Sequence, residues 1–133
     1  MRISKIILFC LLVFIISGCS AAYNSYSQRI AISNTPKEVF DIDVELRFVS
    51  ATAVEKGQLK KKLAKKGLMI FTGYTRGMIQ GLVLPDKNFI AAIRQFVNKY
   101  RPYVNKNEKA IFDEILKALD ELDEYLDKQD KNY

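Results

Sequence analysis

Three carboxylates at two-residue spacing come closest to a catalytic arrangement in this sequence. Asp41, Asp43 and Glu45 alternate with apolar residues in a segment that has the pattern of a β-strand. On one strand face they would lie roughly 7 Å apart, so two of them could share a cation or the acid and base roles of glycoside hydrolysis. The same spacing is common on solvated strand faces, and no Asp-Gly-rich loop accompanies it. We therefore expect no metal site and no catalytic residue here.

The chain contains no histidine, which restricts the available chemistry further. This absence removes the usual general base, the imidazole-dependent catalytic triads and the commonest ligands of zinc, copper and iron. A length of 133 residues suits one small domain. These features favour a non-catalytic protein without a cofactor. A hydrolase of cell-wall glycan that uses the strand carboxylates remains the alternative.

The N-terminal segment has the parts of a secretory signal peptide. Two basic residues, Arg2 and Lys5, precede the apolar stretch 6–16, and two small residues follow it. This stretch is too short to span a bilayer, which requires about 20 apolar residues, but it suits the apolar region of a signal peptide. The sequence therefore predicts a signal peptide over residues 1–18.

Residues Ile16-Ser17-Gly18-Cys19 resemble the lipobox of bacterial lipoproteins, in which a branched apolar residue and two small residues precede the lipidated cysteine. The resemblance implies cleavage between Gly18 and Cys19 and a diacylglyceryl thioether on the thiol of Cys19. Several acyl chains together hold a protein at a membrane effectively permanently. In Gram-negative lipoproteins an Asp after this cysteine favours the inner membrane. Here the residue is Ser20, which implies the periplasmic face of the outer membrane.

The middle of the chain is strongly basic. Residues 47–109 hold 14 basic and 3 acidic side chains, whereas residues 110–133 hold 3 basic and 8 acidic ones. Such a segment could contact anionic lipid headgroups or an acidic partner. The lysines point nearly all round their predicted helix, so a solvated helix balanced by the acidic last helix is the other interpretation. Nucleic acid is not expected, because stacking aromatic residues do not alternate with the lysines.

A candidate interaction surface follows from this basic segment. Tyr74 and Arg76 form a pair of the kind enriched in interface hot spots, although a plain turn also accounts for them. With the neighbouring lysines they define one predicted surface. Its members are Lys60, Lys61, Lys62, Lys65, Lys66, Tyr74 and Arg76.

The first half of the domain is predicted to contain a strand followed by a helix. Within residues 40–48 every even position is apolar and every odd position is charged, which is typical of a strand covered on one face. Thr52 and Glu55 then have the spacing of a capping box, which opens a helix. Gly67 is predicted to end that helix.

The second half is predicted to contain a hairpin and two helices. Residues 68–71 and 78–84 have the composition of its two strands. Asp86 is a candidate helix cap, and Asn105 and Glu108 repeat the capping-box spacing before the last helix. The predicted fold is α+β, in the order β-α-β-β-α-α, with a mixed or antiparallel sheet and the helices packed on one face.

The small, polar composition after the lipobox predicts a flexible tether over residues 19–34. The α+β domain then covers 35–126, and the acidic tail 127–133 is expected to fray. We expect a membrane-anchored envelope lipoprotein that acts as a binding, accessory or assembly subunit with an envelope protein partner. Besides the glycan hydrolase, a surface-exposed lipoprotein that contacts host molecules is a second alternative.

Overall fold

The computed structural model describes residues 21–131, and in this range the chain forms helices and no β-strand. Helix α1 covers residues 21–32. The helices that follow are α2 (Pro36–Glu45), α3 (Ala53–Ile79), α4 (Lys87–Tyr100) and α5 (Lys106–Lys131), with a 3-10 turn (Arg101–Tyr103) between α4 and α5. The predicted signal peptide, the cleavage site and Cys19 lie outside the described residues.

The predicted α+β fold is wrong, and the segment read as its first strand is mostly helix α2. A two-residue alternation also contains positions that are four apart, so it can present one face of a helix. Ile42 and Leu46 are buried four residues apart, and Val39, three residues before Ile42, is buried with them. Val44 and Phe48, which a strand would have buried on the same face, are exposed.

A local signal at the start of α2 favours the helix over the strand. The Thr35 hydroxyl accepts a hydrogen bond from the backbone N–H of Glu38 at 3.3 Å and lies 3.0 Å from the Glu38 carboxylate. Pro36 occupies the first turn, where its missing N–H leaves no helical bond unmade. Threonine, proline and glutamate at these positions form a capping sequence that the strand prediction overlooked.

The predicted hairpin of residues 68–71 and 78–84 is also wrong, because α3 continues through Gly67 to Ile79. A Cβ atom at Gly67 would lie 2.2 Å from the ring of Phe96 on α4. The glycine therefore permits a close approach of two helices and does not end one. The apolar residues after it are buried at helical spacing, as Ile70 and Phe71 show.

The helix instead ends in a Schellman motif at Gly81. This glycine has a φ of 77°, in the left-handed region that glycine adopts without strain. The N–H of Leu82 bonds to the carbonyl of Gly77 at 2.8 Å, and the N–H of Gly81 bonds to the carbonyl of Met78 at 3.3 Å. Gly81 is therefore a helix C-terminus and not part of a strand.

The predicted helix starts are confirmed. Thr52, Asp86 and Asn105 each accept a hydrogen bond from the backbone N–H three residues later, at 3.1, 2.9 and 2.8 Å. The carboxylate of Glu108 also accepts from the backbone N–H of Asn105 at 3.2 Å, which completes a capping box. The sequence predicts these caps because the donor and the acceptor of each hydrogen bond lie within four consecutive residues.

Helix α3 is the centre of the bundle and contacts α2, α4 and α5. Where it meets α2 and α4, four aromatic rings form one cluster. Phe71 lies 5.2 Å from Phe40 and 5.0 Å from Phe96 between ring centroids, and Phe96 stacks on Tyr100 at 4.4 Å. Such pairs add to the stabilisation from burial alone. The helices thus pack on each other in place of a sheet.

The folded region extends beyond the predicted limits on both sides. Residues 21–32, for which the composition predicts a tether, are helical, and Ile30 is buried in the core. Lys66 donates a hydrogen bond to the carbonyl of Ala31 at 2.9 Å, which holds α1 against α3. At the other end, Asp127 forms an ion pair with Lys87, within a helix that continues to Lys131.

Substituting Gly67 tests the close approach of α3 and α4. We expect Gly67→Ala to lower the free energy of unfolding by roughly 1–3 kcal/mol, because the buried ring of Phe96 has little room to move. Gly73→Ala in the same helix is the control, since a Cβ atom there meets nothing within 4 Å. That change should raise stability by about 0.5–1 kcal/mol through helix propensity. Urea denaturation measures both, and equal effects would contradict the packing assignment.

Candidate functional site

The three carboxylates considered for catalysis do not converge on one site. In a helix, successive residues are rotated by about 100°, so Asp43 and Glu45 of α2 point in different directions. Asp43 accepts hydrogen bonds from Tyr100 at 2.5 Å and Lys99 at 2.7 Å, both on α4. Glu45 forms an ion pair with Arg29 of α1. Each of these two carboxylates therefore joins α2 to a different helix.

The ionisation of these groups follows from their partners. The hydrogen bond from Arg29 lowers the pKa of Glu45, so this carboxylate is charged at neutral pH. Burial raises the pKa of Tyr100, and its hydrogen bond to Asp43 raises it further, so the phenol stays neutral and donates. These shifts describe structural contacts rather than an acid and a base placed around one substrate.

The carboxylates of the acidic last helix form ion pairs with basic residues of α4 and of the turn that follows it, and, within the described part of the chain, not with those of α3. Arg94 of α4 forms ion pairs with Asp120 at 2.5 Å and Asp123 at 2.6 Å, and Arg101 at the end of α4 pairs with Asp113 at 3.0 Å. Among residues 21–131, no carboxylate of α5 forms an ion pair with a lysine of α3. Most acidic residues of the described domain form ion pairs with basic residues outside α3, so the surface of α3 stays basic.

The predicted lysine surface is divided between different sides of α3. Lys62 donates to the Ser27 hydroxyl at 2.6 Å and lies over the Tyr23 ring, so it contacts α1. Lys60 lies over the ring of Tyr103, 5.6 Å from its centroid, on the side of the 3-10 turn. Lys61 is exposed away from both contacts. These residues do not form one surface.

The remaining predicted surface residues lie further along α3. Tyr74 is half-buried, packs against Phe89 with ring centroids 5.9 Å apart, and also lines a surface recess. Arg76 is exposed at the C-terminal end of α3. Lys65, Lys66, Tyr74 and Arg76 lie along one groove, and these are the predicted surface residues that the structure brings together.

This groove, called the α3 groove below, runs along the outward side of the central helix. Met69 and Gly73 form a ridge between two recesses, each with a volume of about 580 Å³. The recess on the α1 side is lined by Ser33, Asn34, Lys66, Ile70, Tyr74, Gly77, Leu82 and Val83 as well as the ridge. The recess on the α5 side is lined by Lys65, Leu68, Thr72, Thr75, Arg76, Ile79, Ile111, Glu114, Ile115 and Ala118 as well as the ridge.

The α3 groove is apolar along its floor and basic at its rim. Met69 is 64% exposed and Ile79 is 55% exposed, although both belong to the helix at the centre of the fold. The ridge is low at Gly73 because glycine has no side chain. The space beside it is open, since nothing lies within 4 Å of where a Cβ would be. A largely apolar surface of this kind on a small domain is a candidate contact site.

Met69, Gly73 and Ile111 are site residues that the sequence did not reveal. The sequence pattern places Met69 in the predicted strand 68–71 and Gly73 between the two predicted strands. A helical reading through Gly67 would have placed Met69 and Gly73 four residues apart on one side of α3. Even then, the sequence carries no signal that this side is left uncovered by α1 and α5.

Residues 21–131 contain neither a candidate metal site nor a candidate membrane-spanning helix. Among these residues, no group of three or more potential ligand side chains is arranged to hold a metal ion. No helix in the same range is both long enough and apolar enough to cross a membrane.

Comparison of the chain with protein-family models, curated proteins and solved structures gave no match. The function is therefore inferred from the arrangement of the chain's own residues.

Asparagine in place of Asp43 separates a structural role from a catalytic one. We expect Asp43→Asn to lower the free energy of unfolding by about 1–3 kcal/mol, because the charge-assisted bonds to Lys99 and Tyr100 are weakened. Asp41→Asn on the exposed side of α2 should change stability little. Urea denaturation of both variants measures the difference. Unchanged stability in Asp43→Asn together with loss of a glycan-hydrolysing activity would instead support catalysis.

Proposed function

We propose that the protein is a lipid-anchored envelope lipoprotein that acts without catalysis, as an accessory or assembly subunit. In this proposal the α3 groove binds an amphipathic segment of an envelope protein. The observation that carries the proposal is the groove itself, an apolar floor left open on the central helix of an otherwise packed bundle. Burial of such a surface by a partner is favourable at roughly 25 cal/mol per Å² of apolar area.

The shape of the α3 groove supports an extended or helical partner segment. The two recesses lie on either side of the Met69–Gly73 ridge, so side chains at helical spacing could enter both. Each recess has a volume of about 580 Å³, which accommodates several side chains. Because the groove is open along its length, it suits a macromolecular segment better than an enclosed small molecule.

The charge at the rim specifies the chemistry of the partner. Lys65 and Arg76 belong to the α5-side recess, and within the described residues neither has a carboxylate within ion-pair distance. Glu114 is the acidic residue that lines that recess. We therefore infer a segment with apolar side chains on one face and Asp or Glu beside them. Complementary charge would increase the rate and specificity of association.

The membrane attachment in this proposal rests on the resemblance of residues 16–19 to a lipobox. Lipidation of Cys19 would place the groove in the envelope, and Ser20 favours the periplasmic face of the outer membrane. Glycan hydrolysis is less well supported, because Asp43 and Glu45 are engaged with different helices. Neither carboxylate lines the α3 groove.

Filling the groove tests the binding role. We expect Gly73→Leu to block both recesses while leaving the fold intact, since the site has open space for a side chain. A photo-reactive amino acid at Met69 of the full chain should cross-link in the native envelope to an acidic, amphipathic segment, identified by mass spectrometry. Gly73→Leu should reduce this product at least tenfold.

Gly57→Leu is the matched control for that experiment. It adds the same side chain to the same helix at another position where a Cβ meets nothing within 4 Å, outside the groove. The cross-linked product should persist in this variant. Equal amounts of product in both variants, or a product that maps to a basic segment, would contradict the assignment.

The lipid anchor has a separate test. Cys19→Ala should abolish incorporation of labelled fatty acid in cells, because the thiol that receives the diacylglyceryl group is gone. Ser17→Ala, which keeps a small residue in the lipobox, should still be labelled. Continued labelling of Cys19→Ala would exclude lipidation at this residue.

A further inference from the structure

The position of the proposed lipid anchor defines which end of the bundle faces the membrane. This inference rests on the proposed lipidation of Cys19. Ala21, the first residue of α1 in the described range, is only two residues further along the chain. Two residues span at most about 7 Å. The start of α1 must therefore lie close to the headgroups of the bilayer that holds the acyl chains.

The contacts of α1 show which other segments share this end. Ser27 of α1 bonds to Lys62 of α3, and Ala31 bonds to Lys66, so a step of four residues on one helix matches four on the other. The two helices are therefore parallel, and the start of α1 lies level with the first turns of α3. The loop 46–52, which leads into α3, lies at the same end.

This end, called the anchor end below, exposes two large apolar side chains. Phe48 in the loop before α3 is 84% exposed, and Val54 in the first turn of α3 is 72% exposed. Neither is part of the buried core, and their exposure costs free energy in water. An aromatic and an aliphatic side chain beside a lipid-modified residue are suited to insertion among lipid headgroups.

The anchor end is also basic. Arg47, Lys56 and Lys60 line one shallow recess there, together with Asp43 and Lys99, which are paired with each other. The three remaining cations therefore present a positive surface beside Phe48. Positive side chains near a bilayer surface are attracted to anionic phospholipids over a distance of about one Debye length.

The opposite end of the bundle, formed by the α3–α4 loop and the last turns of α5, carries more carboxylates than the anchor end exposes. Leu84 in the loop before α4 is 89% exposed, so apolar exposure alone does not distinguish the two ends. At that end Asp127 and Asp130 of α5 share one cation, Lys87, so one negative charge remains in excess, and Glu121 and Tyr125 line a recess beside the α3–α4 loop. An anionic membrane surface would repel these carboxylates. Charge therefore favours the anchor end as the membrane contact.

We propose that the anchor end docks directly on the anionic phospholipid surface in which Cys19 is anchored, with Phe48 and Val54 inserted among the headgroups. Arg47, Lys56 and Lys60 contact the lipid phosphates. The 27 residues of α3 then stand on the membrane and extend away from it for about 40 Å. Met69 lies roughly 24 Å above the start of the helix, which holds the α3 groove clear of the bilayer.

Single tryptophan residues test this orientation, because the sequence contains none. The acylated full chain carrying Phe48→Trp is reconstituted into vesicles of phosphatidylethanolamine and phosphatidylglycerol that contain doxyl-labelled lipid. We expect a blue shift of its emission and at least twofold quenching. Leu84→Trp is the matched control and should show neither effect. Replacing phosphatidylglycerol with phosphatidylcholine, or introducing Arg47→Glu with Lys56→Glu, should remove most of the quenching at position 48.

Mass spectrometry of the same samples separates failure of the orientation from failure of the anchor. If Cys19 carries acyl chains and the emission of the Phe48→Trp variant is neither shifted nor quenched, the orientation is wrong and the lipoprotein proposal stands. Equal quenching at positions 48 and 84 would also overturn the orientation. If Cys19 carries no acyl chain, both proposals fail together.

Discussion

The close contact between Gly67 of α3 and the ring of Phe96 on α4 is the constraint on which the rest of the bundle depends. Because Gly67 has no side chain, the ring of Phe96 can lie against the backbone of α3 and also contact Phe71 and Tyr100. The aromatic cluster so formed includes Phe40 of α2. One missing side chain thus allows three helices to share a core, in a chain that has no cysteine or histidine after residue 19 for a cross-link or metal site.

The pairing of charges determines what the surface of α3 presents. Helix α5 uses Asp120 and Asp123 in ion pairs with Arg94 of α4, and Asp113 in an ion pair with Arg101 of the 3-10 turn. Such exposed pairs contribute little to stability individually, but they leave few carboxylates to balance α3. Lys65 and Arg76 remain at the rim of an apolar groove as a result. The net charge of the middle segment is therefore less informative than the location of its partners.

The parallel direction of α1 and α3 connects the proposed membrane orientation with the proposed binding groove. The start of α1 lies level with the start of α3, so an anchor at Cys19 would fix one end of α3 at the membrane. The α3 groove lies further along the same helix, from Lys65 and Lys66 onward. A single long helix would then hold an anchored end and a partner-binding groove at a fixed separation. That arrangement suits an assembly subunit, which must present a binding surface at a defined height above a bilayer.

The sequence by itself determined the helix starts, because each depends on residues within a few positions of one another. The caps at Thr52, Asp86 and Asn105 are of this kind. The cap at Thr35 was equally local, but the alternation of residues 40–48 suggested a strand instead. That pattern is ambiguous because Ile42 and Leu46 satisfy a two-residue period and a four-residue spacing at once. The alternation alone does not decide between the two, and tertiary packing selects the helix that the cap at Thr35 favours. The apolar residues of α2 are buried against α3 and α4, which stabilises the helix. Gly67 packs against the ring of Phe96, so α3 continues through this glycine. The placement of α1 and α5 leaves Met69 uncovered. The last two outcomes depend on residues far apart in the chain, so no local pattern could have supplied them.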